Sequence, residues 1–260
     1  MVKAVFTAVA LAAALTAAQA GRPCEQQAPE ASNVLRSMEL AARTQTRLDA
    51  SGAQVVVLAR AGQNLSAYGL RWSHLGWAYR LPGEGNAWRV VHKLNHCGTA
   101  SAALYRQGLG EFFLDDLYQY EAALVVPTPE LQAQLLPLLL DNQRLAQLHT
   151  PDYSMVAYPW AQRYQQSNQW AIETLALAME PGATSRARVQ AWLQFKGYQP
   201  STLRIGALTR LGARMTAANV AFDDHPSDKR YSDRIETVTV DSVFSWLGRS
   251  GLGGSVQLVR

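Results

Sequence analysis

The spacing of apolar positions changes along the chain, and each spacing predicts a different element. Residues 33–49 carry apolar side chains at helical intervals, behind Ser32 and Asn33, either of which can cap a helix. Short runs rich in apolar and β-branched side chains then predict strands, at 54–60, 73–80, 87–94 and 120–128. The glycine-rich segment 81–86 joins the second and third of these strands, which predicts a β-hairpin.

Helical periodicity dominates the rest of the chain. It predicts helices at 95–108, 129–148, 167–180, 184–197, 200–219 and 241–251. Pro137 predicts a kink in the helix that contains it, Ser167 or Asn168 can cap the next one, and Asp241 can cap the last. A late strand is expected at 234–240. Strands that precede helices, with one late strand, predict the α+β class.

The N-terminus has the pattern of a secretory signal peptide. Lys3 precedes an apolar run, and the small residues Ala18 and Ala20 end it, so cleavage is expected after Ala20. The run is too short and too rich in alanine for a membrane span. Cys24 follows, but the Arg-Pro pair before it does not fit a lipidation signal. The sequence therefore predicts a bacterial protein that is exported to the periplasm or secreted, with residues 21–260 as a single α+β domain.

Composition and charge exclude several functions. Hydrophobic residues make up 48% of the chain and charged ones 17%, which is enough to bury a sizeable core. Removing Lys3 with the signal leaves 23 basic against 20 acidic residues, so the net charge is about +3. The basic residues are scattered, which argues against a nucleic-acid partner. No further apolar run is long enough for a membrane span, and no cofactor or metal motif is present.

Two cysteines remain after the signal, Cys24 and Cys97. Export to an oxidising compartment favours a disulfide between them. Cys97 could instead be a reactive thiol, because it lies where a helix N-terminus is expected and such a position stabilises a thiolate.

The predicted hairpin carries a histidine on each strand. His74 and His92 are about equally far from the turn, so they are expected on one face, with one able to act as a base and the other to orient it. The alternative is two separate structural histidines. Four aromatic side chains near them can line a groove or belong to the core: Trp72, Trp77, Tyr79 and Trp88.

A base needs a nucleophile, and Ser167 is the main candidate besides Cys97. Ser167 begins the clearest helix of the chain, where the helix dipole favours negative charge, although it can serve simply as the cap. Asp223, Asp224 and His225 carry possible metal ligands, but their spacing fits no known motif, which favours a solvated acidic turn.

The order of these elements resembles the circularly permuted papain-like proteins of the NlpC-type amidase superfamily. There a buried strand of the type GDIVLVR precedes a loop and then SHVGI; the matching stretches here are QVVVLAR and SHLGW. The resemblance implies that His74 is the general base and that His92 orients it. The cysteine nucleophile of the permuted members begins a later helix, in stretches like NCSEFV-E, and Ser167 occupies that place in QSNQWAIE.

The resemblance also implies a fold. It is a papain-like antiparallel sheet packed against helices, with a core at about 53–180 and a helical C-terminal extension at about 183–260. The mature chain resembles, in addition, a family of exported bacterial proteins without assigned activity. Five of its motifs occur here: SH-G-A, VVH-LN-C, FF-DD, SNQW and FDDHP.

Serine in the place of cysteine leaves several functions open. The first expectation is an envelope protein with a degenerate papain-like site. One alternative is a Ser/His-dependent amide or ester hydrolase, or acyl transferase, with His74 as base, His92 as orienting residue and Ser167 as nucleophile. Another is a module without catalysis that binds a peptide, glycan or acyl chain through Asn168 and the aromatic residues. A Cys97-dependent enzyme and a purely structural envelope protein are the remaining interpretations.

Overall fold

The structure is a computed structural model that describes residues 29–83, 85 and 87–260. The strands within these residues are β1 (Val55–Ala61), β2 (His74–Arg80), β3 (Trp88–Asn95), β4 (Ala102–Gly108), β5 (Gln119–Val125), β6 (Ser201–Arg204), β7 (Arg234–Thr237) and β8 (Gln257–Val259). The helices are α1 (Ala31–Ala50), α2 (Leu109–Phe113), α3 (Pro129–Leu140), α4 (Asn142–Ala146), α5 (Ser167–Met179), α6 (Arg186–Phe195), α7 (Ala207–Thr216), α8 (Ser227–Tyr231) and α9 (Val240–Arg249). The predicted signal peptide lies outside the described residues. None of the helices described is long and apolar enough to cross a membrane.

An antiparallel sheet of six strands forms the centre of the fold, in the order β4-β3-β2-β1-β5-β8. The predicted hairpin is confirmed, because β2 and β3 pair antiparallel with Trp77 opposite Val91. β1 lies between β2 and β5, and it is buried along its whole length. A strand covered on both faces has no polar side, which explains the unbroken apolar run at its start.

Helices cover both faces of this sheet, which confirms the α+β class. The face that includes Val57 and Trp77 packs against α3, α5 and α9. The opposite face, which includes Leu58 and Val90, packs against α1 and α2. α5 lies between the sheet and α6, and it is buried along almost its whole length. Contacts on several sides of the helix therefore fix the position of Ser167, the first residue of α5.

A smaller unit is built near the end of the chain. β6 and β7 form a separate antiparallel pair, with Leu203 opposite Ile235, above a small apolar core that includes Phe222. α7 follows β6 and contains no buried residue. The single helix predicted at 200–219 is therefore wrong, because pairing with β7 draws its first part into a strand.

Three other elements differ from their predictions. Residues 102–108 form β4 instead of a helix, because they pair with β3 from Asn95 to Arg89. The helix predicted at 129–148 is two helices, α3 and α4, separated at Asp141, whose side chain caps α4. α9 is capped by Thr239 rather than Asp241, since the Thr239 side chain and Ser242 form a capping box.

Candidate functional site

His74 and His92 lie on one face of the sheet and are hydrogen-bonded to each other. Nε2 of His74 is 2.8 Å from Nδ1 of His92. The β2–β3 register has Trp77 opposite Val91, so the next pair places Gly76, and not His74, opposite His92. A Cβ on Gly76 would lie 2.8 Å from Cγ1 of Val90 and 3.0 Å from Cβ of His92. Glycine at this position therefore gives His92 the space to reach diagonally to His74.

A chain of hydrogen bonds sets the positions of the protons on both rings. Nε2 of Gln107 donates to Glu111 at 3.0 Å, so its Oε1 is the atom that lies 2.7 Å from Nε2 of His92. Nε2 of His92 must therefore carry a proton, and its Nδ1 accepts from Nε2 of His74. The remaining ring nitrogen, Nδ1 of His74, is left unprotonated. It has no hydrogen-bond partner among the residues that the structure describes.

Burial keeps this histidine pair neutral. It lowers the pKa of His74 well below the usual value, and the Arg60 guanidinium and His92 lower it further. Burial and then Arg60 lower the pKa of His92 to about 3. Arg60 stands opposite His74 in the β1–β2 register, and it is held by the Phe112 carbonyl and the Asp115 carboxylate. At neutral pH, Nδ1 of His74 is thus a proton acceptor beside a fixed positive charge.

Ser167 begins α5 but does not cap it. The N-cap is Gln166, whose Oε1 accepts the Asn168 N–H at 2.8 Å, so the predicted cap at Ser167 or Asn168 is wrong. Glutamine rarely caps a helix, but here its Nε2 donates to Thr237 at 3.1 Å, which holds the side chain in place. The Ser167 hydroxyl is left free of the capping role. Burial raises the pKa of Tyr153, and the nearby Ser167 side chain lowers it in part.

His74, Ser167 and Asn168 all line one groove of about 1340 Å³. The His74 ring lies against Phe112, on the face of the sheet that packs against α1 and α2, whereas α5 packs on the other face. Oδ1 of Asn168 accepts the Leu75 N–H at 3.0 Å, so the chain neighbours of Ser167 and His74 are in direct contact. Within the described part of the chain, no hydrogen bond joins His74 to Ser167. The two side chains share the groove without being linked in this state.

The predicted aromatic residues lie in different places. Trp72 lines the groove with Asn168. Trp77 is buried against α5, where its indole N–H donates to the Ala171 carbonyl at 3.1 Å. Tyr79 is buried in the same core. Trp88 lies in the core of the opposite face, and its indole N–H donates to an aspartate of α1 at 2.8 Å.

The two cysteines do not join this site. Cys97 is exposed in the turn after β3, and it is not among the described residues that line the groove. Cys24 lies outside the described residues, so the disulfide between Cys24 and Cys97 stays a prediction.

The segment 223–225 is only partly a solvated turn, because the side chains of Asp224 and His225 are buried and Asp223 is exposed. The side chains of His225 and Asp224 are 0% and 1% exposed. Nδ1 of His225 lies 3.0 Å from the Asp224 carboxylate, and its Nε2 lies 2.9 Å from the Glu236 carbonyl. Asp223 pairs with Arg163 at the surface. These side chains join loops together, and the described residues contain no cluster of three or more His, Cys, Asp or Glu that could hold a metal ion.

Sequence reasoning missed two groups of the site. Gln107 lies on β4, where the run AALYRQG contains no β-branched residue, so strand propensity gives no signal. Tyr153 lies in an irregular segment whose side-chain directions no periodicity can predict. Only the pairing of β4 with β3, and the packing of that segment on α5, bring these two side chains to the histidines and to Ser167.

Comparison with known proteins supplies a family and no activity. No curated protein and no solved structure matches the chain. Residues 47–247 match a family described as an uncharacterized protein conserved in bacteria, DUF2145. The match spans five of the six strands of the central sheet, β1 to β5, with the histidine pair, the start of α5 and most of α9. The chain therefore belongs to the uncharacterised bacterial family DUF2145.

Proposed function

We propose that this protein is an exported envelope protein with a papain-like fold, and that its groove hydrolyses, or transfers the acyl group of, an amide or ester. The predicted signal peptide supports export. The antiparallel sheet supports a papain-like arrangement, together with the buried helix α5, whose second residue, Asn168, accepts the N–H of Leu75, the second residue of β2.

The observation that carries the proposal is the set of directions of the hydrogen bonds that connect Glu111, through Gln107 and His92, to His74. It leaves the open nitrogen, Nδ1 of His74, as an acceptor in a residue that lines the same groove as Ser167. A serine hydroxyl is too weak an acid to attack unaided, so it must pass its proton to such a base. The hydrogen bond to His92 holds the ring of His74 and leaves Nδ1 as the nitrogen available for this transfer.

The proton follows a simple route in this mechanism. Oγ of Ser167 attacks the carbonyl carbon while Nδ1 of His74 takes the hydroxyl proton, and the same proton then passes to the leaving amine or alcohol. Water repeats the sequence to release the acyl group. The low pKa of His74 opposes its protonation, and the negative oxyanion that forms at the same moment offsets this cost. The N–H of Ser167, at the positive end of the α5 dipole, is placed to hold that oxyanion.

A second candidate is binding without chemistry. It is favoured because, among the residues that the structure describes, no hydrogen bond joins Ser167 to His74, whose ring lies on the α1 and α2 face of the sheet. In this case the groove binds a peptide, glycan or acyl ligand, and the serine is only a polar contact.

Labelling with a fluorophosphonate probe tests the serine mechanism. The wild-type protein is expected to react, and Ser167→Ala to lose the label. His74→Ala should slow labelling by roughly 100-fold or more, which is the usual contribution of a general base. Ser185→Ala is the matched control, because Ser185 also stands at a helix start, that of α6, and is exposed. Labelling that survives Ser167→Ala would contradict the mechanism.

A Ser167→Cys variant separates the two candidates in the same experiment. If His74 serves the residue at this position, the new thiol reacts with iodoacetamide much faster in Ser167→Cys than in Ser167→Cys/His74→Ala. Equal rates, together with an unlabelled wild type, would support binding without chemistry.

A further inference from the structure

We propose that the groove takes a long aliphatic acyl chain, which lies along α7 with its carbonyl group at Ser167. The inference rests on the proposed function, because it names the substrate class of the same site. It comes from the walls of the groove and not from the groups expected to react.

The first wall is an apolar stripe on α7. Leu208, Leu211 and Met215 follow one another at helical spacing, and all three line the groove. They are 85%, 57% and 78% exposed, respectively. Large apolar side chains on one face of a helix normally face a core. Here that face is directed at an open groove, so a ligand is what can cover it.

The second wall comes from β6 and from the loop before β2. Leu203 and Ile205 belong to the small core under β6 and β7, and Leu70 packs against it. All three also line the groove. The groove is thus apolar on two sides, and it reaches His74 and Ser167 at a polar end.

Three of the polar residues that line the groove are hydrogen-bonded within the protein. Ser73 accepts the Gly62 N–H at 2.8 Å. Thr237 accepts from Gln166, and Thr239 is bonded to Ser201 at 2.7 Å. These three side chains are therefore partly occupied by partners within the protein.

This arrangement favours an acyl chain over other ligands. A peptide carries a donor and an acceptor on almost every residue, and burying them without partners is costly. A glycan carries more such groups. Asp116 is the one charged side chain among the described residues that line the groove, so a highly charged ligand is not matched either. An aliphatic chain needs no hydrogen bonds, and only its carbonyl group needs the polar end.

Binding should therefore depend on chain length. Each methylene removed from water is expected to raise affinity by about fourfold, until the chain passes the end of the groove. The length of α7 sets that limit, because the 10 residues of this helix span about 15 Å at the usual helical rise.

The test is titration calorimetry of the Ser167→Ala protein with N-acylethanolamines, from hexanoyl to dodecanoyl. We expect the dissociation constant to fall by about fourfold per methylene. Leu211→Glu should weaken binding of the dodecanoyl compound by roughly tenfold or more, because it places a charge in the apolar wall. Leu35→Glu on α1 is the matched control, since Leu35 is 60% exposed against 57% for Leu211 and is outside the groove lining.

Each outcome separates the inference from the proposed function. Affinity that does not change with chain length, or that falls equally in both glutamate variants, would overturn the acyl-chain proposal. So would an uncharged apolar hexapeptide that binds as tightly as the dodecanoyl compound. Chain-length dependence without Ser167-dependent labelling would retain the acyl groove and remove the hydrolase. Ser167-dependent labelling without chain-length dependence would retain the hydrolase and remove the acyl groove.

Discussion

His92 has no exposed surface, and both of its ring nitrogens are hydrogen-bonded in the neutral form. The Phe112 ring lies with its centroid 5.2 Å from that of His92, and Arg60 adds a positive charge nearby. A proton on this ring would be buried, would be repelled by Arg60 and would break the bond from His74. Folding therefore requires His92 to be uncharged, and this couples the stability of the protein to pH.

The pH dependence follows from the direction of the shift. The unfolded imidazole has a pKa of about 6.5, whereas the pKa of His92 in the folded protein is lowered to about 3. The unfolded state therefore binds more protons between these values, and stability is lost as pH falls below about 6.5. We expect each such histidine to lower the unfolding free energy by up to about 1.4 kcal/mol per pH unit.

Urea unfolding of the wild type and of His92→Gln, at pH values from neutral to mildly acidic, measures this effect. The variant should show a shallower decline, because glutamine does not titrate. Identical slopes in the two proteins would show that His92 is not the group responsible.

The position of His92 in the β2–β3 hairpin depends on Gly76, which has no side chain. Gly76 does not have a positive φ, so its role is steric and not conformational. It leaves space beside Val90 and His92. Without that space, the two strands could pair, but His92 could not lean toward His74.

Gly76→Ala tests this close approach. The added methyl group is expected to push apart Val90 and His92, lowering stability by about 1–3 kcal/mol. Gly108→Ala is the matched control at the end of β4, where a Cβ would meet no atom within 4 Å. Thermal unfolding measures both, and fluorophosphonate labelling should slow only in Gly76→Ala. Equal effects of the two substitutions would remove the steric argument.

Across the whole molecule, a buried carboxylate ties the helices to the irregular segment before α5. Glu173 on α5 is fully buried and accepts from Nε of Arg186 at 2.9 Å and from Gln165 at 2.6 Å. Arg186 on α6 also donates to the carbonyls of Gln162 and Tyr164. This network holds in place the segment that carries Tyr153 and leads into Ser167.

Breaking this network should lower the free energy of unfolding more than breaking a surface ion pair does. Arg186→Met leaves Glu173 buried without its cation, which is expected to lower the unfolding free energy by about 3–5 kcal/mol. The control is Arg188→Met on the same helix, because Arg188 and Glu180 form a pair whose side chains are 59% and 35% exposed. That pair should contribute about 1 kcal/mol or less. Urea denaturation at neutral pH compares them, and similar losses would contradict a structural role for the network.

Local patterns were sufficient for the elements that depend on neighbouring residues. The β2–β3 hairpin, the buried β1 and the helices α1, α5 and α6 follow from periodicity and from turn residues close by in the chain. The same patterns placed a histidine on each strand of the hairpin and Ser167 at a helix start. They were wrong for β4, for the first part of 200–219 and for the cap of α5.

The features that local patterns did not predict depend on residues that are far apart in the chain. Gln107 reaches His92 only because β4 pairs with β3, and Gln166 caps α5 only because Thr237 holds its side chain. The exposed stripe of α7 forms a wall of the groove together with Leu203, which lies on β6 where that strand pairs with β7. Propensity and periodicity describe each segment alone. The position of a proton on a histidine ring, or the lining of a groove, depends on side chains that folding brings together from distant parts of the chain.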